Sequence, residues 1–366
     1  MKALIRILFL VVPALLVAGC SSSSSTPPIA FLYVVGKQAN NIVAFSETPS
    51  GAISAPAIAT FATDPIPVAM AATPSKNFVY VANSTSNRVS GYALNHTTGV
   101  LTPIGTAIAP TPVGANPIGV GVDPTGRFLF VLNQGSANIS VFTIDSTRGL
   151  LTEISGSPFA VPATAQFMTV SPNAGFLYLS NGAAGTISIY SIASNGSISQ
   201  IGSSPLTAGA NFAGTTIDAK GQFLYAADSA SNKVASFSIA SSGALSTVAG
   251  SPFPAGTQPV AVAVDPTGTR LFTANQGSND VSAYTVSSGA LTQVSGSPFA
   301  TAGTGVLTAS HPVFVTVDVT GGFLYVANQG SGSIAAFSIN PANGTLSIVT
   351  DPPISATAPL WLLNIR

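Results

Sequence analysis

Few side chains in this sequence can do acid–base, nucleophilic or metal chemistry. The 366 residues contain two histidines, two glutamates and one cysteine, namely His96, His311, Glu47, Glu153 and Cys20. An imidazole can take a proton from water at neutral pH and so act as a general base. His311 lies in a long connector between two repeats, which makes it the best candidate for a catalytic residue. The alternative is that His311 is an exposed loop residue without a function.

Other catalytic and binding motifs are missing from the sequence. It has no Cys/His spacing for a metal ion, no Gly-x-Ser-x-Gly elbow and no phosphate-binding loop. We therefore predict no metal site and no cofactor. Aspartates do recur, as in Asp123-Pro-Thr-Gly126 and Asp265-Pro-Thr-Gly268. Asp, Pro and Gly at these positions are typical of a type I turn, so the aspartates are predicted to be structural.

Amide side chains recur in pairs along the chain. The pairs are Asn133-Gln134, Asn275-Gln276 and Asn328-Gln329. Amides donate and accept hydrogen bonds without carrying charge, which suits a neutral, hydroxyl-rich ligand such as a glycan. These six residues are therefore candidates for a ligand-binding face. The alternative is that Asn and the following Gly form a turn while Gln is solvated.

The composition excludes several classes of protein. Eleven Lys and Arg balance eleven Asp and Glu, and charged residues make up only 6% of the chain. Nucleic-acid binding is excluded because no basic excess is available to neutralise phosphates. A helical bundle or coiled coil is excluded because 35 Gly and 27 Pro interrupt the sequence throughout.

The first 28 residues are predicted to export and anchor the protein. Lys2 and Arg6 precede a short apolar run that ends in Val17-Ala-Gly-Cys20. That run is too short to span a bilayer, and its end resembles a bacterial lipobox. We expect residues 1–19 to be a signal peptide, Cys20 to be lipidated, and residues 20–28 to be a Ser/Pro tether. The membrane would then be contacted only through the lipid, with the outer membrane favoured over the inner one. The alternative is an ordinary signal peptide followed by a chance cysteine.

Residues 29–366 are built from seven copies of one repeat. A motif of the type Phe-Leu-Tyr-Val-Ala-Asn recurs every 47 to 53 residues. Its aromatic centre falls at Tyr33, Tyr80, Phe130, Tyr178, Tyr225, Phe272 and Tyr325. Each copy carries four stretches with strand character, the last being Leu291–Phe299 in the sixth copy. Seven four-stranded antiparallel units predict an all-β, seven-bladed propeller.

The two ends of the chain predict how the ring closes. The first copy starts with its Tyr strand, and the last is followed by one extra apolar stretch, residues 359–365. We predict that this C-terminal strand completes the N-terminal blade, so that no blade edge stays open. In such a ring the connectors from second to third strand, and from fourth to first strand, share one face. The Asn-Gln pairs and His311 all fall in those connectors.

The repeats resemble those of the seven-bladed lactonase-like propellers. The resemblance rests on Asp-Pro-Thr-Gly-x-Phe-Leu-Tyr-Val-Ala-Asn followed by Gly-x-Leu-Thr-x-Val-x-Gly-Ser-Pro-Phe, and it covers residues 31–366. It implies a propeller related to 6-phosphogluconolactonase-type and cycloisomerase-type proteins and to YVTN-repeat surface proteins. The enzymes carry histidine after certain first-strand prolines, where this chain has Ile118, Val260 and Val313. They also carry glutamate after one second-strand asparagine, where this chain has glutamine. No catalytic residue of the family is therefore carried over, and enzymatic activity stays open.

Three functions are compatible with the sequence. The favoured one is a non-catalytic, envelope-anchored module that binds a neutral ligand, such as a glycan or a lactone, or an envelope protein. The second is a lactone hydrolase of the 6-phosphogluconolactonase type with a diverged site. The third is a structural or adhesion protein of the envelope.

Overall fold

The computed structural model describes residues 30–55, 57–105, 111–202, 206–207, 209–302, 310–349 and 353–366. The predicted signal peptide, Cys20 and the tether lie outside the described residues. All regular secondary structure in the described part is β-strand. None of the described residues belongs to a helix that is long and apolar enough to cross a membrane.

The strands fall into seven consecutive groups, which we number as blades 1 to 7. Blade 1 contains β1 (Ala30–Gly36), β2 (Asn41–Glu47) and β3 (Ala59–Ala62). Blade 2 contains β4 (Pro67–Ala72), β5 (Phe78–Asn83), β6 (Arg88–Leu94), β7 (Leu101–Pro103) and β8 (Thr111–Pro112). Blade 3 contains β9 (Pro117–Val122), β10 (Phe128–Asn133), β11 (Asn138–Ile144), β12 (Leu151–Glu153) and β13 (Phe159–Ala160). Blade 4 contains β14 (Phe167–Val170), β15 (Phe176–Asn181), β16 (Thr186–Ile192), β17 (Ile198–Gln200) and β18 (Leu206–Thr207). Blade 5 contains β19 (Phe212–Ile217), β20 (Phe223–Asp228), β21 (Lys233–Ile239), β22 (Leu245–Thr247) and β23 (Phe253–Pro254). Blade 6 contains β24 (Pro259–Val264), β25 (Arg270–Asn275), β26 (Asp280–Ser287), β27 (Ala290–Gln293) and β28 (Phe299–Ala300). Blade 7 contains β29 (Pro312–Val317), β30 (Phe323–Asn328), β31 (Ser333–Ile339), β32 (Leu346–Ile348) and β33 (Ile354–Ser355). The chain ends with β34 (Pro359–Ile365).

Each group forms one antiparallel sheet in which four strands pair in order from the centre outwards, and in blades 2 to 7 a short fifth strand pairs with the third. The first strands of neighbouring blades contact one another around the ring, from β4 through β9, β14, β19, β24 and β29 to β34, and β34 returns to β4. This arrangement confirms the seven-bladed propeller predicted from the repeats. The first strands surround a central channel, and the sheets' apolar faces pack against one another between blades.

The C-terminal strand closes the ring as predicted. β34 pairs antiparallel with β1, with Leu363 opposite Tyr33 and Ile365 opposite Phe31. It therefore takes the first-strand position of blade 1. Leu362 and Ile365 are buried, on opposite sides of the strand, in two separate apolar clusters. Apolar residues on both faces are what a strand between two packed blades requires.

The outer part of each blade differs from the prediction of one continuous fourth strand. In blade 6 the stretch Leu291–Phe299 divides into β27 and β28, and both pair with β26. A turn separates them, in which the Ser297 amide donates to the carbonyl of Val294 (3.0 Å). The Ser297 hydroxyl oxygen also accepts from the amide of Ala283 in β26 (2.9 Å). Pro298 has no N–H to donate, which contributes to the break in the ladder.

The recurring aspartates hold the hairpin between first and second strands. Asp265 is 1% exposed, and its Oδ1 accepts from the backbone amides of Thr269 (2.7 Å) and Arg270 (2.9 Å). The Gly268 amide donates to the carbonyl of Asp265 (2.9 Å), as in a type I turn. Asp123 is buried in the same way. The predicted structural role of these aspartates is confirmed.

Tyrosines at four of the seven repeat centres connect their blade to the next one. The Tyr33 hydroxyl donates to the carbonyl of Gly99 (2.8 Å), and that of Tyr80 to the carbonyl of Gly149 (2.8 Å). Both acceptors are positive-φ glycines in the hairpin between third and fourth strands of the following blade. A side chain at Gly149 would meet the ring of Phe78 at 2.6 Å, so glycine also allows close packing of the blades. Burial raises the pKa of both tyrosines well above its usual range, and they stay neutral.

Candidate functional site

Two positions in each repeat reach one end of the central channel, which we call the mouth. One position immediately precedes the first strand, which begins with proline in five of the seven blades, and the other follows the second strand. Backbone hydrogen bonds join the two positions within a blade. The Gln276 amide donates to the carbonyl of Gln258 (2.9 Å), and the Gln329 amide to the carbonyl of His311 (3.1 Å). The mouth is therefore ringed by side chains that the repeats place at equivalent points.

His311 is held at the mouth by its backbone. Its φ is +44°, in the left-handed region, and its amide donates to Oδ1 of Asn279 in the preceding blade (2.8 Å). Gln258 has the same conformation, and its amide donates to Oδ1 of Asn232 (2.8 Å). The left-handed conformation is unfavourable for most side chains, and these bonds stabilise it. The His311 side chain itself is exposed.

A cavity of about 460 Å³ opens at the mouth between blades 6, 7 and 1, and we call it the mouth cavity. Its volume falls within the range of small-molecule sites. It is lined by Lys37, Gln38, Gln258, Gln276, Gly277, His311, Gln329, Gly330 and Ala358. Three consecutive blades thus bring the candidate base together with four glutamines and one lysine.

The mouth cavity is polar and carries little charge. Lys37 and His311 are both exposed. Among the described residues that line it, Lys37 is the single cation and none is a carboxylate. The imidazole can take a proton from water, the ammonium can stabilise an oxygen that gains negative charge, and the amides can hold uncharged polar groups. A phosphate bound here would meet only one ammonium group.

A second depression extends the cavity along the junction of blades 7 and 1. It has a volume of about 480 Å³ and shares Gln38, Gln329, Gly330 and Ala358 with the mouth cavity. Its remaining lining includes the hydroxyl groups of Ser331, Ser355 and Thr357. The polar surface available to a ligand is therefore larger than the mouth cavity alone.

The predicted amide pairs separate into buried asparagines and accessible glutamines. Asn133, Asn275 and Asn328 are each 0% exposed, which differs from their expected place on a ligand face. The Asn275 Nδ2 donates to Asp280 (2.7 Å) and Ser282 (2.9 Å) on the neighbouring strand. Each of these asparagines is the last residue of a second strand and pairs with the first residue of the third strand. They are therefore buried at the base of the turn between the two strands. Gln276 and Gln329 lie half-buried at the mouth cavity.

Gln134 takes a different position from the other two glutamines. Its Nε2 donates to the carbonyl of Ala165 (3.2 Å), and its side chain lines the channel below the mouth. Sequence reasoning did not single out Lys37, Gln38 or Gln258. Gln258 and His311 both directly precede a first-strand proline. This equivalence between repeats could have identified Gln258 from the sequence.

The remaining candidate groups lie elsewhere. His96 sits in the hairpin between third and fourth strands of blade 2, at the end of the ring opposite the mouth, and its Nε2 is 3.2 Å from Oδ1 of Asn77. Glu153 is exposed on β12, and Glu47 is 0% exposed beside β34. No group of three or more His, Cys, Asp or Glu among the described residues could hold a metal ion.

The sequence matches the family described as lactonase, 7-bladed beta-propeller. The matched segments are residues 24–116, 108–167, 167–308 and 299–362. The chain belongs to this lactonase family. No match was found among curated protein sequences. Ile118, Val260 and Val313 each follow a first-strand proline, at the positions compared above with the histidines of the enzymes. All three side chains line the channel.

Solved structures of family-like propellers confirm the fold. A candidate 6-phosphogluconolactonase of Bacteroides fragilis has a TM-score of 0.79 and 18% sequence identity, with 94% of this chain and 99% of that chain covered. A periplasmic gluconolactonase of Pseudomonas aeruginosa has a TM-score of 0.74 and 19% identity, with 92% and 99% covered. At these identities the likeness establishes a common fold and leaves the activity to the residues of the site.

Proposed function

We propose that this protein hydrolyses an uncharged lactone in the mouth cavity, with His311 as the general base. The observation that carries the proposal is the convergence of His311, Lys37 and the glutamines on one cavity of about 460 Å³. Membership of the lactonase family supports the reaction type. An uncharged substrate is favoured over a phosphorylated one because the described lining offers one ammonium group and no arginine, the residue that binds phosphate through two parallel hydrogen bonds.

The residues of the cavity can promote both the attack of water on the lactone and the opening of its ring. His311 would take a proton from water as the water oxygen attacks the carbonyl carbon of the ring. Lys37 would stabilise the negative oxygen of the tetrahedral intermediate. The bond from that carbon to the ring oxygen then breaks, and the imidazolium returns its proton to the departing oxygen. The product is the open-chain hydroxy acid. Gln258, Gln276 and Gln329 would hold the polar groups of the ring.

A second candidate function is binding of the same class of ligand without turnover. It is favoured by one observation, namely that no described carboxylate lines the mouth cavity to orient His311. A catalytic histidine is commonly oriented by a carboxylate. In that case the propeller would act as a binding module, the function favoured by the sequence, and the same amide groups would carry recognition.

The two functions are separated by assaying the full chain with glucono-δ-lactone, 6-phosphogluconolactone and δ-valerolactone. We expect acid release above the spontaneous rate with an uncharged lactone, and a weaker response to the phosphorylated one. The His311→Gln variant should lower kcat about 10²–10⁴-fold, the usual effect of losing a general base. His96→Gln is the matched control, since His96 lies at the opposite end of the ring, and it should keep full activity.

Three results would decide against hydrolysis by His311. The first is no hydrolysis of any of the three lactones above background. The second is unchanged activity in His311→Gln, and the third is an equal loss in His96→Gln. Saturable binding of an uncharged lactone without acid release, measured by calorimetry, would establish the second candidate function instead.

We further propose that the propeller works at the cell envelope, anchored through Cys20. The support is the sequence Val17-Ala-Gly-Cys20 and the Ser/Pro stretch that follows it. One acyl chain binds membranes only marginally, whereas two or more give stable attachment. The Cys20→Ser variant should therefore move from the membrane fraction to the soluble periplasm or the medium. Fractionation identical to the wild type would reject the lipid anchor.

A further inference from the structure

Directly below the mouth, the central channel contains an apolar chamber of about 350 Å³. Its lining consists of Val68, Ile118, Gln134, Gln166, Phe167, Val260, Ala261, Val313, Phe314, Leu360 and Trp361. None of these described residues is charged, and the polar groups among them are the amides of the two glutamines and the indole N–H of Trp361. The apolar chamber thus contrasts with the polar mouth cavity above it.

Irregularities in the first strands supply the wall of the chamber. In β24 the pairing with β25 passes from Pro259 to Ala261, so Val260 has no partner on the second strand. Similar shifts leave Ile118 and Leu360 unpaired in β9 and β34. A β-bulge bends its strand and redirects a side chain, and bulges are frequent beside binding sites. Five of the seven blades use one to place an apolar side chain in the chamber, namely Val68, Ile118, Val260, Val313 and Leu360.

Three aromatic rings form the floor of the chamber. The Trp361 ring lies 4.3 Å from that of Phe314 on the neighbouring blade, measured between centroids. It also stacks on Phe167 from blade 4, across the channel, with centroids 5.7 Å apart and planes at 18°. Phe167 and Phe314 also line the lower half of the channel, so the rings separate the two halves. The chamber therefore has an apolar wall and an aromatic floor.

The apolar chamber and the mouth cavity are adjacent along three strands. Gln258, His311 and Ala358 line the cavity, and the residues two positions later, Val260, Val313 and Leu360, line the chamber. Two residues span at most about 7 Å of chain. A molecule of moderate size can consequently occupy both spaces at once, with its polar part beside His311.

We propose that the apolar chamber binds a hydrocarbon substituent of the lactone whose ring occupies the mouth cavity. This inference rests on the proposed function and names the substrate class as lactones with an alkyl or aromatic side group. Burial of that group against the aliphatic wall and the aromatic floor would supply affinity. The amides and His311 would supply orientation, as is usual for pockets with an apolar lining and few polar groups.

Trp361 gives a direct readout, because it is the only tryptophan in the chain. The probes are δ-lactams with a methyl, propyl or pentyl group on the carbon next to the ring nitrogen, which keep the ring polarity but are not hydrolysed by the proposed reaction. Titration into the full chain should change Trp361 emission saturably. The midpoint should fall about fourfold for each added methylene, which corresponds to ~0.8 kcal/mol.

Matched variants test whether the response comes from the chamber. Val260→Phe fills the chamber and should weaken pentyl-lactam binding at least tenfold. Val319→Phe makes the same change at a position that is 40% exposed and outside the channel, and it should leave binding unchanged. Ile118→Phe fills the chamber from another blade and serves as a second variant should Val260→Phe fail to fold.

A midpoint independent of chain length, or one unchanged in a folded chamber-filling variant, overturns the inference. So does the absence of any saturable emission change, which would indicate a channel that holds only solvent. Because lactam binding needs no turnover, it is independent of catalysis. Chain-length-dependent binding with no lactone hydrolysis would support the chamber while rejecting the proposed function.

Discussion

Asn275 and Gln276 are neighbours in sequence but have separate roles. Asn275 is 0% exposed, and its amide bridges Asp280 and Ser282, whereas Gln276 reaches the mouth cavity. Asn275→Ala should lower the free energy of unfolding by about 1–3 kcal/mol, because it leaves buried polar groups unpaired. Gln276→Ala should change it by less than about 0.5 kcal/mol and weaken lactone binding instead. Urea unfolding and calorimetry distinguish the two effects, and equal destabilisation by both would contradict this division.

How far the sequence predicts the site depends on the kind of residue. The Asn-Gln pairs were visible, but the sequence alone could not show which member is buried. The buried member is the one with hydrogen-bond partners on the next strand, such as Ser282, seven residues after Asn275. His311 was selected as a candidate because histidine is rare in the chain. Lys37 and Gln258 were missed because they meet His311 only when three blades close around the mouth.

At the scale of strands, we expect the loss of the closing strand β34 to lower the stability of the protein most. Leu362 and Ile365 are 2% and 1% exposed, and Leu360, Trp361 and Leu363 are half-buried. Burial contributes about 1.5–3 kcal/mol for each fully buried large side chain and less for a half-buried one. The five side chains together therefore contribute an amount comparable with the net stability of a typical domain, about 5–15 kcal/mol. Deleting residues 359–366 should cause aggregation or rapid proteolysis. Removing Arg366 alone is the control, and a truncated protein with an unchanged melting temperature would reject ring closure.

Strand positions were predicted well where a repeated motif has strand character in every copy. They were predicted less well at the outer edges of the blades. The second strands, such as β30 (Phe323–Asn328), follow directly from the Tyr motif. The outer stretch of blade 6 was predicted as one strand, because its Thr, Val and Phe residues favour strands. The bond from the Ala283 amide to the Ser297 hydroxyl, which helps to divide it, is a tertiary contact that strand propensity does not reveal.

At the scale of the whole molecule, the propeller combines one repeated scaffold with a site that is not repeated. The buried Asn and Asp side chains recur from blade to blade and stabilise the ring. The residues at the mouth differ between blades. Ser84 and Gly182 occupy positions equivalent to Gln276 and Gln329. In blade 3 the equivalent Gln134 donates to the carbonyl of Ala165 and lines the channel below the mouth. The long side chains that remain at the mouth cavity are those of blades 6, 7 and 1, and this asymmetry places the cavity there.

The stability of the whole ring should depend on pH through Glu47. This carboxyl is buried at the closing seam, where its Oε2 accepts from Asn364 of β34 (2.7 Å) and its Oε1 has no hydrogen-bond partner. Burial raises the pKa of Glu47, with Asp318 adding to the rise, while Asn364, Tyr325 and Arg366 partly offset it. A raised pKa means that the folded ring binds this proton more tightly than the unfolded chain. The associated stability is complete below the ordinary pKa of 4.5 and is lost as the pH rises through the folded value.

Glu47→Gln should remove this pH dependence while preserving the bond from Asn364, since an amide oxygen can also accept it. At pH 8 we expect the variant to be more stable than the wild type by about 1–3 kcal/mol, the usual penalty for a buried polar group without a partner. Near pH 4 the two proteins should have similar stability. Glu153→Gln, at the only other glutamate and on an exposed strand, is the matched control and should show no such difference. Thermal melting of the three proteins between pH 4 and 8 measures the effect. A wild type that becomes more stable than Glu47→Gln as the pH rises would show that the buried carboxylate stabilises the closed ring in its charged form.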